Sequence, residues 1–575
     1  MSGKTADDHA MIVTSTKVLS PSGIVLVDKP VDSVDKLLKV LEWRQRRQPL
    51  SPAGLPAQVW VIDAACAQLG WGPDDVDPGD EADYSDEELR EGRMKTDVIA
   101  RLDDATRELL GPFLAPQGED GWHLYQPGEE IGYRLHLSHT VGNRKLMVDV
   151  ILEGWAWTAR INHDRMGILG SETAGTLIDF EDEMETAREL ARRLCWHVDN
   201  LGVLPGITPA RTGAVILDRV FRDRRKTGRG IIVDAPVPLP PIDIADADEL
   251  EPVIVWSRGW IDTEELDAAD ELVTIDQRAS YLASAGMINL GYGELVHHST
   301  GAEELAHTST PLPFGVWQIT LPAADTLALP DKLPLPHPRM RTDRPVTTWV
   351  TTETIISLTA PIPDGGAGLD IADLAIAEAW TTTDQGQVLK RWKELLAAAR
   401  KAAVEADDPI LKSMVTDIYK GYLGRIAGDR NWDSHMRHHY QPIWAAAIKA
   451  HARHRSRAKA MKLAREHNIW PIKGLTDAWT YLAPAGVDLA DELAYLGKFV
   501  VEKRRPLDDD VILALLSATT PTEVRKAINT AYTASGQSDD DADDNESADD
   551  NDATRSGAVD LTSDAATVTS EEVVS

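Results

Sequence analysis

Asp276 and Asp477 each stand beside a short apolar run, and they are the residues of this chain best placed to do chemistry. Leu272, Val273 and Ile275 form a strand-like run that delivers Asp276, and Tyr281 comes next where a small-residue, helix-like stretch begins. A carboxylate at the end of a buried strand is costly unless a cation or hydrogen bonds offset it, which makes Asp276 a candidate metal ligand. The competing reading is that Asp276 only caps the helix after it, a position Asp favours. In PIKGLTDAWTYLA, Asp477 heads a second strand-like run after a glycine turn. In-line phosphoryl or nucleotidyl transfer requires two such carboxylates, brought from separate strands onto divalent cations. One ion activates the attacking hydroxyl and the other neutralises the leaving pyrophosphate.

A third feature is LKSMVTDIYKGYLG, which places Lys412 and Tyr419 seven residues apart, two helical turns on one face. A cation and an aromatic so arranged can hold a triphosphate and a base, or they are a solvated Lys beside a packed Tyr. His435, His438, His439, His451 and His454 are interleaved with arginines and are expected to form a cationic face rather than a metal site. Trp432, Tyr440 and Trp444 are expected in the core.

Placement of these side chains rests on the surrounding helices and strands. Val34 to Arg47 and Glu181 to Leu201 have helical periodicity, and PAQVWVIDAACAQL reads as a strand leading into a helix. Residues 133–180 alternate as a meander of strands. TPARTGAVILDRVFRDRR reads as a short helix, and residues 229–247 as a Pro-rich connector. GVWQITLP and VTTWVTTETIISL read as strands; Leu389 to Glu405, Ile410 to Ile426 and Gln441 to Glu466 as helices; AWTYLAP and GKFVVEKR as strands. A last helical stretch runs to about Ala531. The expected organisation is an N-terminal α/β region (1–125), a meander with helices (126–235), a first sheet region (250–360), a helical basic segment (361–470), a second sheet region (471–535) and an acidic tail (536–575).

Composition bounds the answer. The 575 residues suffice for several domains, and no uninterrupted apolar run of membrane-spanning length or signal-peptide pattern is present, so no membrane role is expected. Two cysteines, Cys66 and Cys195, exclude a disulfide framework. The net charge of −34 is unevenly spread. Residues 536–575 hold 13 acids against one Arg, a composition expected to stay disordered, whereas residues 385–473 hold 18 Lys and Arg against 8 acids. The basic segment is the expected nucleic-acid surface, with Arg453, Arg455, Arg457 and Lys498 as contacts.

The order Asp276-x4-Tyr281, Lys412-x6-Tyr419, Thr476-Asp477 and Leu496 to Glu502 resembles the palm and fingers of B-family DNA polymerases, particularly the compact protein-primed kind. The resemblance covers about Val253 to Arg505. It implies an α+β fold with an antiparallel palm sheet and helical fingers, and template-directed DNA synthesis on two Mg²⁺ ions, or Mn²⁺, held by Asp276 and Asp477. It further implies Tyr281 under the incoming sugar, Lys412, Tyr419 and Arg400 on the deoxynucleoside triphosphate, and DNA and a terminal or priming protein as partners, in the cytoplasm at the nucleoid of a phage-like or linear replicon. Departures accompany it: Ala279, Ser280 and Leu282 replace Ser, Leu and Pro; Thr416 and Asp417 replace Asn-Ser; Lys420 replaces Gly; and Leu475 replaces the hairpin's first Asp. The alternative is a non-catalytic DNA-binding replication protein on a degenerate palm, since the composition is also similar to telomere-associated proteins of actinobacterial linear replicons.

Overall fold

The computed structural model describes residues 5–72, 93–116, 119–124, 132–141, 144–156, 168–170, 177–178, 180–206, 208–228, 230–243, 247–428, 432–491 and 496–534, with Val76 and Ser85. The acidic tail, and most of the acidic stretch from 74 to 91, lie outside the described residues. No described helix is long and apolar enough to cross a membrane.

The first sheet is seeded by two runs that are buried on both faces, β1 (Ala10–Val13) and β4 (Ala57–Val61). They pair in parallel, as strands covered on both sides do. Between them lie β2 (Val18–Leu19), β3 (Val25–Val27) and α1 (Val34–Arg47), whose first turn is capped by Ser33. After β4 come α2 (Asp63–Gln68), α3 (Arg93–Leu110), β5 (Trp122–Leu124), β6 (Arg134–Val141) and β7 (Arg144–Leu152). The sheet order is β3-β2-β1-β4-β7-β6-β5. The division expected near residue 125 therefore falls inside one sheet. The hairpin β6–β7 brings Val148, Val150 and Leu152 against the full length of β4, and pairing there satisfies an edge that would otherwise be exposed. Within the expected meander the chain turns helical at Glu153–Ala156, and most of residues 157–176, where further strands were expected, lie outside the described residues. Two long helices complete this half, α4 (Glu183–Leu201), capped by Asp182 and ended by Gly202, and α5 (Pro209–Thr227).

The second half holds β8 (Val255–Ser257), β9 (Glu271–Gln277), α6 (Ser280–Ala285), β10 (Leu290–His298), β11 (Gly315–Leu321), β12 (Val346–Thr351), α7 (Thr352–Thr359) and β13 (Glu378–Gly386). Next come α8 (Lys390–Glu405), α9 (Pro409–Arg425), α10 (Pro442–His467), β14 (Pro471–Leu475), β15 (Ala478–Ala483), β16 (Phe499–Pro506), α11 (Asp509–Ser517) and α12 (Pro521–Ala534). The fold class is α+β. The expected first sheet region divides between two sheets: β8 and β9 join β14 to β16 in the antiparallel order β16-β9-β15-β14-β8, while β10 to β13 form a separate sheet. Alternation along β9 explains how the five-stranded sheet is covered. Val273 and Ile275 pack with Met461 and Leu463 of α10, whereas Leu272 packs with Val511, Leu515 and Ile528 of α11 and α12.

One sequence expectation fails within VTTWVTTETIISL, where the strand ends at Thr351 and α7 begins. The cause is tertiary. The buried Glu251 carboxylate accepts from Thr351 N at 2.7 Å and from the Thr351 and Thr354 hydroxyls at 2.8 and 2.7 Å, and an anion at this point favours a helix start. The helical segment packs back on the N-terminal half: α9 crosses α5 at Gly213, where a Cβ would stand 2.6 Å from that of Tyr422. Only glycine allows that approach.

Candidate active site at the end of the five-stranded sheet

Asp276 is the penultimate residue of β9, half-buried, and paired across the ladder with Val500 of β16. On its other side β9 pairs with β15, Ile275 lying opposite Trp479. Asp477 belongs to the two-residue turn joining β14 to β15, so the register of β15 on β9 brings it to the same end of the sheet. Both turns at this end are conformationally unusual. Thr476 has φ of 52° and Ala279, between β9 and α6, has φ of 49°, left-handed values that cost a residue with a Cβ about 1–3 kcal/mol. Tertiary bonds hold them. Thr476 N donates to Ile254 O at 2.8 Å. Fully buried Gln277 donates to Gly497 O at 3.0 Å and accepts from the Ser280 hydroxyl at 2.8 Å, tying the end of β9 to α6 and to the loop before β16.

At this end of the sheet the charge of Asp276 acts on Asp477. Burial, and then the negative charge of Asp276, push the Asp477 carboxyl up to about 7, with Lys420 acting in the opposite direction and Glu502 adding to the rise. Tyr281, on the first turn of α6, is half-buried; burial and the Asp477 charge raise its hydroxyl well above the usual range, so it stays protonated. Asp276, Asp477 and Tyr281 thus stand at the same end of the five-stranded sheet. The structure adds two groups that sequence reasoning assigned no role: Lys420, noted only as a departure, and Glu502, the residue at the bulge of β16. Their signal was position alone, immediately after Tyr419 and at the end of the LGKFVVE run. The donor set fits a divalent cation. A buried carboxylate whose proton is held first by burial and then by a neighbouring negative charge is relieved by positive charge placed between the two.

The other expected residues divide. Tyr419 is buried in the same apolar cluster that Tyr281 packs against, whereas Lys412 is exposed two turns earlier on α9. The shared face predicted for them is open at one end and covered at the other, and it is Lys420 whose charge acts on Asp477. Arg400 on α8 is half-buried, its Nε without a hydrogen-bond partner among the described residues. Lys498 contributes its backbone, its carbonyl accepting from Arg278 N at 3.1 Å.

The DNA-contact role expected of Arg453 and Arg457 is corrected by burial. Arg453 is 5% exposed and donates to Glu251 at 2.6 Å, Thr354 at 2.9 Å and Pro252 O at 2.9 Å. Arg457 is 1% exposed and donates to Gly365 O at 3.0 Å and to Pro334 O. Half-buried Arg455 donates to Gly497 O at 2.5 Å, holding the loop before β16. These arginines lie on a helix buried round most of its circumference, so they cross-link the interior instead of facing a ligand. The cationic face expected of the histidines fails at three of the five: burial holds His439 and His454 below the usual imidazole range and brings His451 down to about 3. Trp432 and Trp444 are core residues, as expected.

No protein-family model and no curated protein matches the chain. Among solved structures it is similar to Phi29 DNA polymerase complexed with primer-template DNA and incoming nucleotide substrates, at a TM-score of 0.40 and 10% identity, covering 85% of this chain and 81% of that one. Phi29 DNA polymerase complexed with single-stranded DNA gives a TM-score of 0.38 and 10% identity over 85% and 80% of the two chains. Its orthorhombic crystal form gives 0.37 and 9% over 86% and 85%. A likeness this loose has no bearing on what the chain does.

Proposed function

We propose that the chain is a template-directed DNA polymerase-like nucleotidyltransferase working by a two-metal mechanism. One observation carries the reading. Asp276 and Asp477, far apart in sequence, come to one end of an antiparallel sheet, where the charge of Asp276 adds to the burial that holds the proton on Asp477. Asp276 and Asp477 would hold Mg²⁺, or Mn²⁺, which when bound supplies the charge that activates a primer hydroxyl and neutralises the leaving pyrophosphate. Tyr281 offers a protonated hydroxyl and a ring wall beside Asp477, suited to the sugar of an incoming nucleotide. Lys420, with Lys412 further along α9, offers positive charge for the triphosphate. Gln277 and Gly497 fix the strand end so that the carboxylates stay in place.

The alternative, a non-catalytic DNA-binding replication protein, is favoured by Leu475, which removes a carboxylate from the hairpin, and by the burial of Arg453 and Arg457. Primer extension with Mg²⁺ or Mn²⁺ decides between them. Metal-dependent incorporation that falls by at least about a thousandfold in both Asp276→Ala and Asp477→Ala, roughly 4 kcal/mol of transition-state stabilisation, supports the enzyme. DNA binding without incorporation, unchanged in both variants, leaves the binding protein.

A further inference from the structure

Away from the sheet end, Asp218 of α5 meets two consecutive histidines of the 3-10 helix Ser434–His439. Asp218 Oδ1 lies 2.7 Å from His438 Nε2 and 3.4 Å from His439 Nε2. One ligand-capable atom from each residue lies within 4.8 Å of the other two. The two imidazoles are tilted against each other with centroids 4.1 Å apart. His439 is 1% exposed, and its Nε2 has no hydrogen-bond partner among the described residues although it points toward Asp218. Its other ring nitrogen, Nδ1, lies 3.1 Å from the hydroxyl of buried Tyr422.

We propose that Asp218, His438 and His439 form a site for a divalent transition metal, Zn²⁺ by donor set, distinct from the carboxylate pair at the sheet end. Two imidazoles and one carboxylate are a usual three-residue ligand set for zinc, with a water as fourth ligand. Metal–ligand bonds of about 2.0–2.1 Å in a tetrahedron separate ligand atoms by about 3.3 Å, which the 3.4 Å between His439 and Asp218 matches and the 2.7 Å between His438 and Asp218 would reach by opening slightly. Tyr422 is placed as the outer partner that fixes the orientation of a liganding imidazole: a proton on Nδ1 directed at its hydroxyl leaves the Nε2 lone pair for the ion. The Asp218 side chain is 32% exposed while that of His439 is closed off, so the site opens on one side, where an ion enters and a water completes the shell. A purely structural ion pair between Asp218 and His438, with His439 packed against Trp432 at 5.1 Å, leaves the buried Nε2 of His439 with a 3.4 Å approach to Asp218 but no hydrogen bond among the described residues. Buried polar atoms are rarely left so. Bound metal would tie α5 to the turn before α10, pinning the helical segment to the N-terminal half.

The test uses the full-length protein, stripped with a chelator and titrated with Zn²⁺ against a chromophoric competitor. One tight equivalent is expected, with visible d–d bands of a four-coordinate site when Co²⁺ is substituted. Asp218→Asn and His439→Gln should lose that equivalent. Tyr422→Phe, which keeps the packing, should weaken it about tenfold. Asp276→Asn should leave it unchanged, separating this site from the sheet-end pair. The proposal is overturned if the wild-type chain binds no stoichiometric Zn²⁺ and gives no four-coordinate Co²⁺ spectrum. It is equally overturned if the ligand variants bind Zn²⁺ as tightly as wild type. Should those variants not fold, the Tyr422→Phe affinity and the wild-type Co²⁺ spectrum decide.

Discussion

Replacing Asp276 by Asn tests whether the two carboxylates form one site. In the unfolded chain Asp477 ionises near its ordinary value of 3.8, whereas in the folded protein it keeps its proton up to about 7. Between these values the folded state holds the extra proton, so stability falls as pH rises through the window, and the loss is complete above it. At about 1.4 kcal/mol per unit, a rise of roughly three units costs about 4 kcal/mol. Burial is the larger cause and Asp276 the second, so Asp276→Asn should recover less than half, about 1–2 kcal/mol. In EDTA at pH 8 the variant should melt higher than wild type, by about 1 °C per kcal/mol for a chain of this length. At pH 5, where Asp477 is protonated in both proteins, the difference should nearly vanish. Excess Mg²⁺ or Mn²⁺ at pH 8 should reverse the order, because only the wild type retains both ligands and gains from binding. Thermal melts of both proteins at the two pH values, with EDTA or metal, give the full comparison. A variant that is less stable than wild type at pH 8 in EDTA, or a difference that does not change with pH, refutes the reasoning.

Particular contacts set further outcomes. Arg453→Ala should destabilise the fold by about 3–5 kcal/mol, read by denaturant melts, because it strands the fully buried Glu251 carboxylate; a loss of DNA affinity at unchanged stability would restore the surface role. Lys420→Glu should raise the Asp477 carboxyl further and move the metal-dependent activity to higher pH, since Lys420 now opposes that rise; a pH–rate profile that stays in place excludes it from the site. Thr476→Gly should relieve left-handed strain and stabilise by up to about 1 kcal/mol in chemical denaturation. A marked loss would mean that the Thr side chain, not the backbone, holds the hairpin.

Much of the local structure was legible in the sequence, because helix and strand periods are local. The helix at Val34–Arg47 and the three helices from residue 390 to 467 stand where the sequence placed them. So do the strands that carry or flank Asp276 and Asp477. The candidacy of the two aspartates also came from sequence, because an isolated carboxylate beside an apolar run is a local anomaly. Which charges face solvent was not legible. Arg453 and Arg457 look like surface cations on a basic helix, yet their partners, Glu251 and the carbonyls of Pro334 and Gly365, come from segments about 90 to 200 residues away. The same distance hid the start of the helix at Thr352, set by Glu251, and the union of the first two expected regions in one sheet. Lys420 and Glu502 read as unremarkable charges until the fold set their fields on Asp477. Asp218 and the histidine pair meet only because α5 and the turn before α10 pack together. The sequence determined the elements and the presence of two suspicious carboxylates, since both depend on neighbours within a few residues. Only the tertiary structure decided which charges act on one another, because burial and Coulomb energy depend on distances in space that separation along the chain does not record.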